Sequence, residues 1–161
     1  DNSISKKLKS IAKVHLADLG SRVFYCDHGS FDTHANQLAS HKYLWNSASI
    51  AIKDFFDDLK EHDAADNVIM FIFSEFGRRV RDNGAGTDHG SGGVCMVIGD
   101  SVIGGEYGQY PSMKESDLDQ GDLVPDMDFR SVYTTLIEDW LKLDPIPIVG
   151  GHFEKPKFIA S

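Results

Sequence analysis

The sequence predicts an α/β domain with a largely parallel central sheet. Helix-period segments alternate with strand-like runs in the order helix, strand, helix, strand, strand, helix, and such alternation is the signature of βαβ construction. The run "NVIMFIFSEFG" is continuously apolar over strand length, as expected of a strand covered on both faces. Polar clusters follow at the strand ends, where the sites of parallel sheets gather.

Ile4, Leu8, Ile11, Ala12 and Leu16 recur at helical spacing with lysines between them, so residues 3–18 are predicted as an amphipathic helix that stops near Gly20. "RVFYCD" reads as a buried strand that ends at His28-Gly29-Ser30. From Ala35 to about His62, Leu38, Trp45, Ala48, Ile52, Phe55, Phe56 and Leu59 keep a period near 3.6, which predicts a long helix with its acidic end in solvent. "NVIMFIF" is the second strand and "VCMVIGD" a third, short one. Between them "RRVRDNGAGTDHGSGG" is glycine-rich and polar, and reads as irregular loop. Residues 103–128 read as an extended surface segment, and Val132, Leu136, Ile137 and Trp140 predict a closing helix from Phe129 to Leu143. The prolines of "DPIPIVGGHFEKP" argue against helix there.

A chain of 161 residues is expected to form one domain spanning residues 1–161. Its 41% apolar and 25% charged residues are the balance of a soluble globular protein. No run reaches the roughly 18 apolar residues of a membrane span. The net charge of −9 argues against a nucleic-acid partner, because phosphate backbones require a basic surplus. Cys26 and Cys95 lie in apolar runs and are expected as buried free thiols rather than a disulfide. The chain opens at Asp1 inside what reads as a domain, so further sequence is expected upstream.

Three clusters carry the chemistry. Asp32 and His34 lie in "GSFDTHANQ" just ahead of the long helix; the plain alternative is a helix N-cap and an exposed first-turn histidine. Glu75 ends the second strand, where a carboxylate needs a cation or one of Arg78, Arg79 and Arg81. Asp88 and His89 sit among glycines, where backbone can approach a ligand closely, or where a flexible loop merely contains a histidine. Carboxylate and imidazole donors without thiolates suit zinc or manganese, and all-oxygen subsets suit magnesium or calcium. Asn36, Gln37 and Ser74 are available to orient the imidazoles. Arg78 and Arg79 are candidate binders of an anionic substrate group, with a solvated basic turn as the alternative.

Together "GSFDTHANQ", "SEFGR", "TDHG" and "DFRSVYTTLIEDWL" resemble the C-terminal half of a bacterial family, domain of unknown function 1501, which is similar to the alkaline phosphatase and sulfatase superfamily. The resemblance runs from about Leu8 to Phe153. It implies a three-layer α/β/α sandwich of alkaline phosphatase type, present here as its C-terminal portion. It also implies two divalent metals held by an Asp and His pair, an acidic residue after the next strand, and a later histidine. By that order Asp32 and His34 resemble the first pair, Glu75 the second position and His89 the last histidine, with Asp88 as an additional candidate ligand.

The departures matter as well. The superfamily's nucleophile and first aspartate come from earlier strands, the D-x-H spacing is short, and Glu75-Phe76 stands where an Asp-His pair is common. The resemblance therefore implies metal binding ahead of catalysis: a metal-dependent hydrolase of phosphate or sulfate esters, with zinc as the first expectation. The alternative is a non-catalytic metal-binding or structural module of a secreted or surface assembly. Periplasmic or secreted location is implied by the resemblance alone. An anionic ester is the expected substrate, and the missing N-terminal half or another chain is expected to cover the sheet.

Overall fold

The lysine-spaced apolar stripe at the start of the chain folds as its period predicts: in the computed structural model, which describes residues 3–160, α1 spans Ser3–Leu16. Asp18 takes a left-handed conformation two residues after it, ahead of Gly20. The second stripe forms α2, Gln37–Glu61. The buried positions of α2 are Leu44, Ala48, Ala51, Phe55, Phe56 and Leu59, and Ile4, Leu8 and Ala12 of α1 are buried where the two helices pack. This stripe is rotated from the expected one. Leu38 is 90% exposed and Trp45 is also exposed, because Leu44, Ala48 and Ala51 are the residues that face α1's side of the pair.

Among the described residues the chain divides into two compact units, one running to Val68 and adding Arg81–Asp88, the other comprising Ile69–Val80 and the chain from His89 onward. The helical pair belongs to the first. The second holds β1, Met70–Ile72, and β4, Met96–Ile98, paired antiparallel with Met70 opposite Ile98 and Ile72 opposite Met96. Between them in sequence lie β2, Gly77–Asp82, and β3, Thr87–Gly90, which pair with each other. A connection as short as residues 83–86 joins strands only as an antiparallel hairpin.

The expected parallel sheet and three-layer sandwich are therefore overturned: the described residues form two two-stranded sheets. Parallel pairing needs a covering crossover, usually a helix, and what lies between β1 and β4 is a hairpin. "RVFYCD" is extended but no ladder pairs it, and Val23 and Tyr25 are 73% and 79% exposed. Without that strand no βαβ unit through α2 exists. The supposed loop 77–90 is mostly hairpin, and its "DNG" contains the Asn-Gly pair that favours a tight reversal, with Gly84 at φ 96°. The cysteines are free as expected, but Cys26 is only half-buried and Cys95 is exposed.

The closing helix starts where expected and then changes pitch. α3 spans Phe129–Thr135, followed by a π-helical turn over Leu136–Trp140. Val132, Ile137 and Phe158 are buried in this unit, and Thr135 Oγ1 donates to the carbonyls of Ser131 (3.0 Å) and Pro156 (3.3 Å). That ties the helix to the C-terminal strand-like strap, where Val102 and Ile159 form a bridge. The proline-rich segment also contains one helical turn, α4, Ile146–Val149. Prolines at the start of a helix remove donors that have no intrahelical partner, so they tolerate a turn there.

Asp128 caps α3 by accepting from the Arg130 backbone N–H at 2.9 Å. The hydrogen-bonded Arg130 side chain, then that N–H, holds its carboxyl down to about 2. A depressed folded-state value means that the contribution is present above the unfolded value, about pH 4, and is lost as pH falls through about 2. The stability gap between the wild type and Asp128→Ala is therefore expected to be full at pH 5 and to shrink toward pH 2, as read by urea melts at each pH. A gap independent of pH would remove Asp128 as the cap.

Candidate metal centre

Asn36 is the residue that occupies the N-cap position of α2, with left-handed φ and ψ of 51° and 31°. Asp32 is thus not the cap. It lies in the preceding turn, where its Oδ1 is 3.0 Å from His34 Nε2. The other ring nitrogen, Nδ1, lies 3.2 Å from Asp88 Oδ1 at the tip of the hairpin. One imidazole is thereby held between two carboxylates that come from positions 56 residues apart in sequence, 88 minus 32.

The hairpin tip is braced against this turn by groups within the same unit. Asn83 Nδ2 donates to the His34 carbonyl and to Asp88 Oδ1, both at 3.2 Å. Its Oδ1 accepts from the backbone N–H groups of Ala85 (3.0 Å) and Gly86 (2.9 Å). Gln37 adds two further ties, its N–H donating to the Ala85 carbonyl and its Oε1 accepting from Thr87 Oγ1 at 3.0 Å. Gly86 is required here, because a Cβ on it would stand 2.9 Å from the Gln37 Cβ. Of the expected orienting residues, Gln37 does brace the turn, while Ser74 Oγ accepts from its own neighbour's chain, the Phe76 N–H at 3.4 Å. Asn83 was not foreseen as part of the site; the Asn-Gly dipeptide signals its turn but not its bonds to the histidine.

The arrangement fits a divalent cation. Two donors that share a tetrahedral ion with bonds of about 2.0–2.1 Å stand about 3.3 Å apart, close to the spacing of Asp32 Oδ1 and His34 Nε2. A metal-bound histidine ordinarily donates its other N–H to a carboxylate or carbonyl, and Asp88 is in that place. Asp88 is thus better suited to orient His34 than to bind the ion itself. The side chains of Asp32, His34 and Asp88 are 65%, 49% and 61% exposed, so the centre is open to water.

The remaining candidates lie in the second unit. His89 stacks on Phe76 with ring centroids 3.8 Å apart and an interplanar angle of 10°, and Arg78 also lies over the Phe76 ring at 5.0 Å. Glu75 is exposed, not buried at a strand end, because β1 stops at Ile72. Arg79 is committed elsewhere: its Nε donates to Asp122 Oδ1 at 2.9 Å and its Nη2 to the Gln120 carbonyl at 3.0 Å. The glycines around Asp88-His89 serve packing more than ligand approach. A Cβ on Gly77 would overlap the Gly92 carbonyl, and one on Gly92 would overlap the Leu123 side chain.

No helix of the described residues is long and apolar enough to cross a membrane. The model of one family, described as "Protein of unknown function (DUF1501)", matches residues 4–140. No curated protein and no solved structure matches the chain.

Proposed function

We propose, for a chain that belongs to the DUF1501 family, that it holds a divalent metal through Asp32 and His34 and serves the hydrolysis of phosphate or sulfate esters. The observation that carries the reading is the His34 ring, with a carboxylate oxygen beside each nitrogen. With Nε2 and Asp32 Oδ1 turned to the ion, Nδ1 carries the proton and donates it to Asp88, which Asn83 steadies. The motif order adds His89 and Glu75 as further ligands, and its similarity to the alkaline phosphatase and sulfatase superfamily supports the reaction class. Zinc suits the oxygen and nitrogen donors best, with manganese, magnesium or calcium as alternatives. A bound divalent ion lowers the pKa of a water or hydroxyl nucleophile and offsets charge on the transferring group. Between the two arginine candidates, Arg78 is the better anion binder, since Arg79 is bonded to Asp122 and Gln120.

A second reading has an observation of its own. Electrostatic stabilisation of a transition state is strongest where water is excluded, and Asp32, His34, Glu75, Asp88 and His89 are all exposed. Exposure favours a non-catalytic metal-binding module. Metal analysis of the purified protein, with p-nitrophenyl phosphate and p-nitrophenyl sulfate assays with and without chelator, separates the two. Chelator-sensitive hydrolysis supports the first reading, and bound metal without turnover the second. Absence of metal from protein supplied with zinc overturns both. Glu75→Gln and His89→Ala are expected to lower metal content if the motif order holds; unchanged content would remove them from the ligand set.

A further inference from the structure

The second unit contains a cleft unrelated to the metal centre. It lies between the end of α3, the π-helical turn and the segment around α4, with a volume of about 320 Å³, at the small end of the range of roughly 300–1,000 Å³ typical of ligand pockets. Thr134 lines it, is 4% exposed, and has a buried Oγ1 with no hydrogen-bond partner among the described residues. Buried hydroxyls are ordinarily satisfied, so an orphan one at a cleft wall marks a place for a polar ligand atom. The π-helical turn that follows at once, closed by the Leu141 N–H to the Leu136 carbonyl at 3.0 Å, is a geometry found often at functional sites.

Charge decides what the ligand is. Glu138 and Asp144 line the cleft. Lys155 also lines it, but its Nζ is held by Asp139 Oδ1 at 2.6 Å and Glu138 Oε1 at 3.2 Å, so its charge is already offset. Asp144 caps α4 through the Ile146 N–H at 3.0 Å and has no cation beside it among the described residues. His152, the remaining titratable group of the lining, is uncharged for the most part at neutral pH. The balance is negative, and Ile146 and Phe153 supply an apolar wall.

We propose that this cleft binds a small primary alkylamine, its ammonium donating to Glu138, Asp144 and the Thr134 hydroxyl and its alkyl body lying on Ile146 and Phe153. The test is an NMR titration of the whole chain with n-butylamine, n-butanol and butyrate, with EDTA present throughout so that the metal reading plays no part. Saturable shifts of the Thr134, Ile146 and Gly151 amides are expected with the amine alone. In a Glu138→Gln, Asp144→Asn double variant, which keeps the Asp144 cap as an amide, binding is expected to weaken at least about tenfold, which is about 1.4 kcal/mol. No saturable shift, equal shifts from the alcohol or the carboxylate, or unchanged affinity in the folded double variant would overturn the proposal. Should the double variant unfold, Thr134→Val carries the test: affinity equal to wild type overturns it, and weakened binding supports it.

Discussion

Replacing His34 with alanine is expected to weaken metal binding by more than about 100-fold, because removing an outer partner alone already costs about 10–100-fold. His34 is the one side chain that touches both carboxylates of the centre, Asp32 through Nε2 and Asp88 through Nδ1. Asn83→Ala leaves the ring in place and loosens only Asp88 and the turn, so it belongs in the smaller class of effect. Competition with a chromophoric chelator gives both affinities on one scale. The fold is expected to survive His34→Ala, since the residue is exposed and lies outside the helical core. Equal losses for the two variants would mean that His34 acts through the scaffold and is not a ligand.

Leu59→Ala is expected to destabilise the first unit by about 2–5 kcal/mol, the usual cost of a cavity left by a buried leucine. Leu59 is fully buried on α2, in the stripe that also carries Leu44, Ala48, Ala51 and Phe55. Leu38→Ala is the matched control on the same helix: an exposed site far from core, caps or charges is expected within about 0.5 kcal/mol. Urea unfolding followed by helical circular dichroism reads both. A large loss at Leu38 with little at Leu59 would place α2 in the register that its apolar periodicity first suggests.

That pair of residues shows where sequence reading succeeds and where it stops. A helix is a local pattern, and α1 and α2 end within two residues of their expected limits. The face that α2 buries is not local. Leu38, Trp45 and Ile52 form one acceptable stripe and Leu44, Ala48, Ala51 and Phe55 another, and only the presence of α1 selects between them. Strand pairing is less local still. "RVFYCD" has the composition of a strand, yet a strand exists only with a hydrogen-bonded neighbour, and none pairs it. The parallel sheet was inferred from element order, which cannot register that β1 finds β4 from the opposite direction.

The candidate centre was legible in its polar residues and opaque in their roles. "DTH" and "TDHG" were singled out as donor clusters, and His34 and Asp88 do meet across a sequence separation of 54 residues. Residue type alone cannot tell a ligand from the carboxylate that orients it; that distinction lies in which ring nitrogen each oxygen faces. Glu75 misled because burial was inferred from an apolar run longer than the three-residue strand it forms.

The unpaired stretch that leads into the centre has a further consequence. Residues 21–30 belong to no ladder, and Asp32 and His34 follow directly on it, so their geometry depends on a few side-chain bonds to the hairpin tip. Segments held this way open at little cost, and their amides exchange with solvent far faster than those of a packed helix pair. In the metal-bound state proposed above, occupancy and ordering become one equilibrium: at an ion concentration 100 times its Kd, the occupied state gains about 2.7 kcal/mol over any form that cannot bind. Deuterium uptake at the amides of residues 31–36 and 83–88 then falls as the ion is added, by up to about 100-fold, while the amides at the centre of α2 are governed by the helix core. The exchange rate of this loop is a gauge of ion occupancy built into the chain.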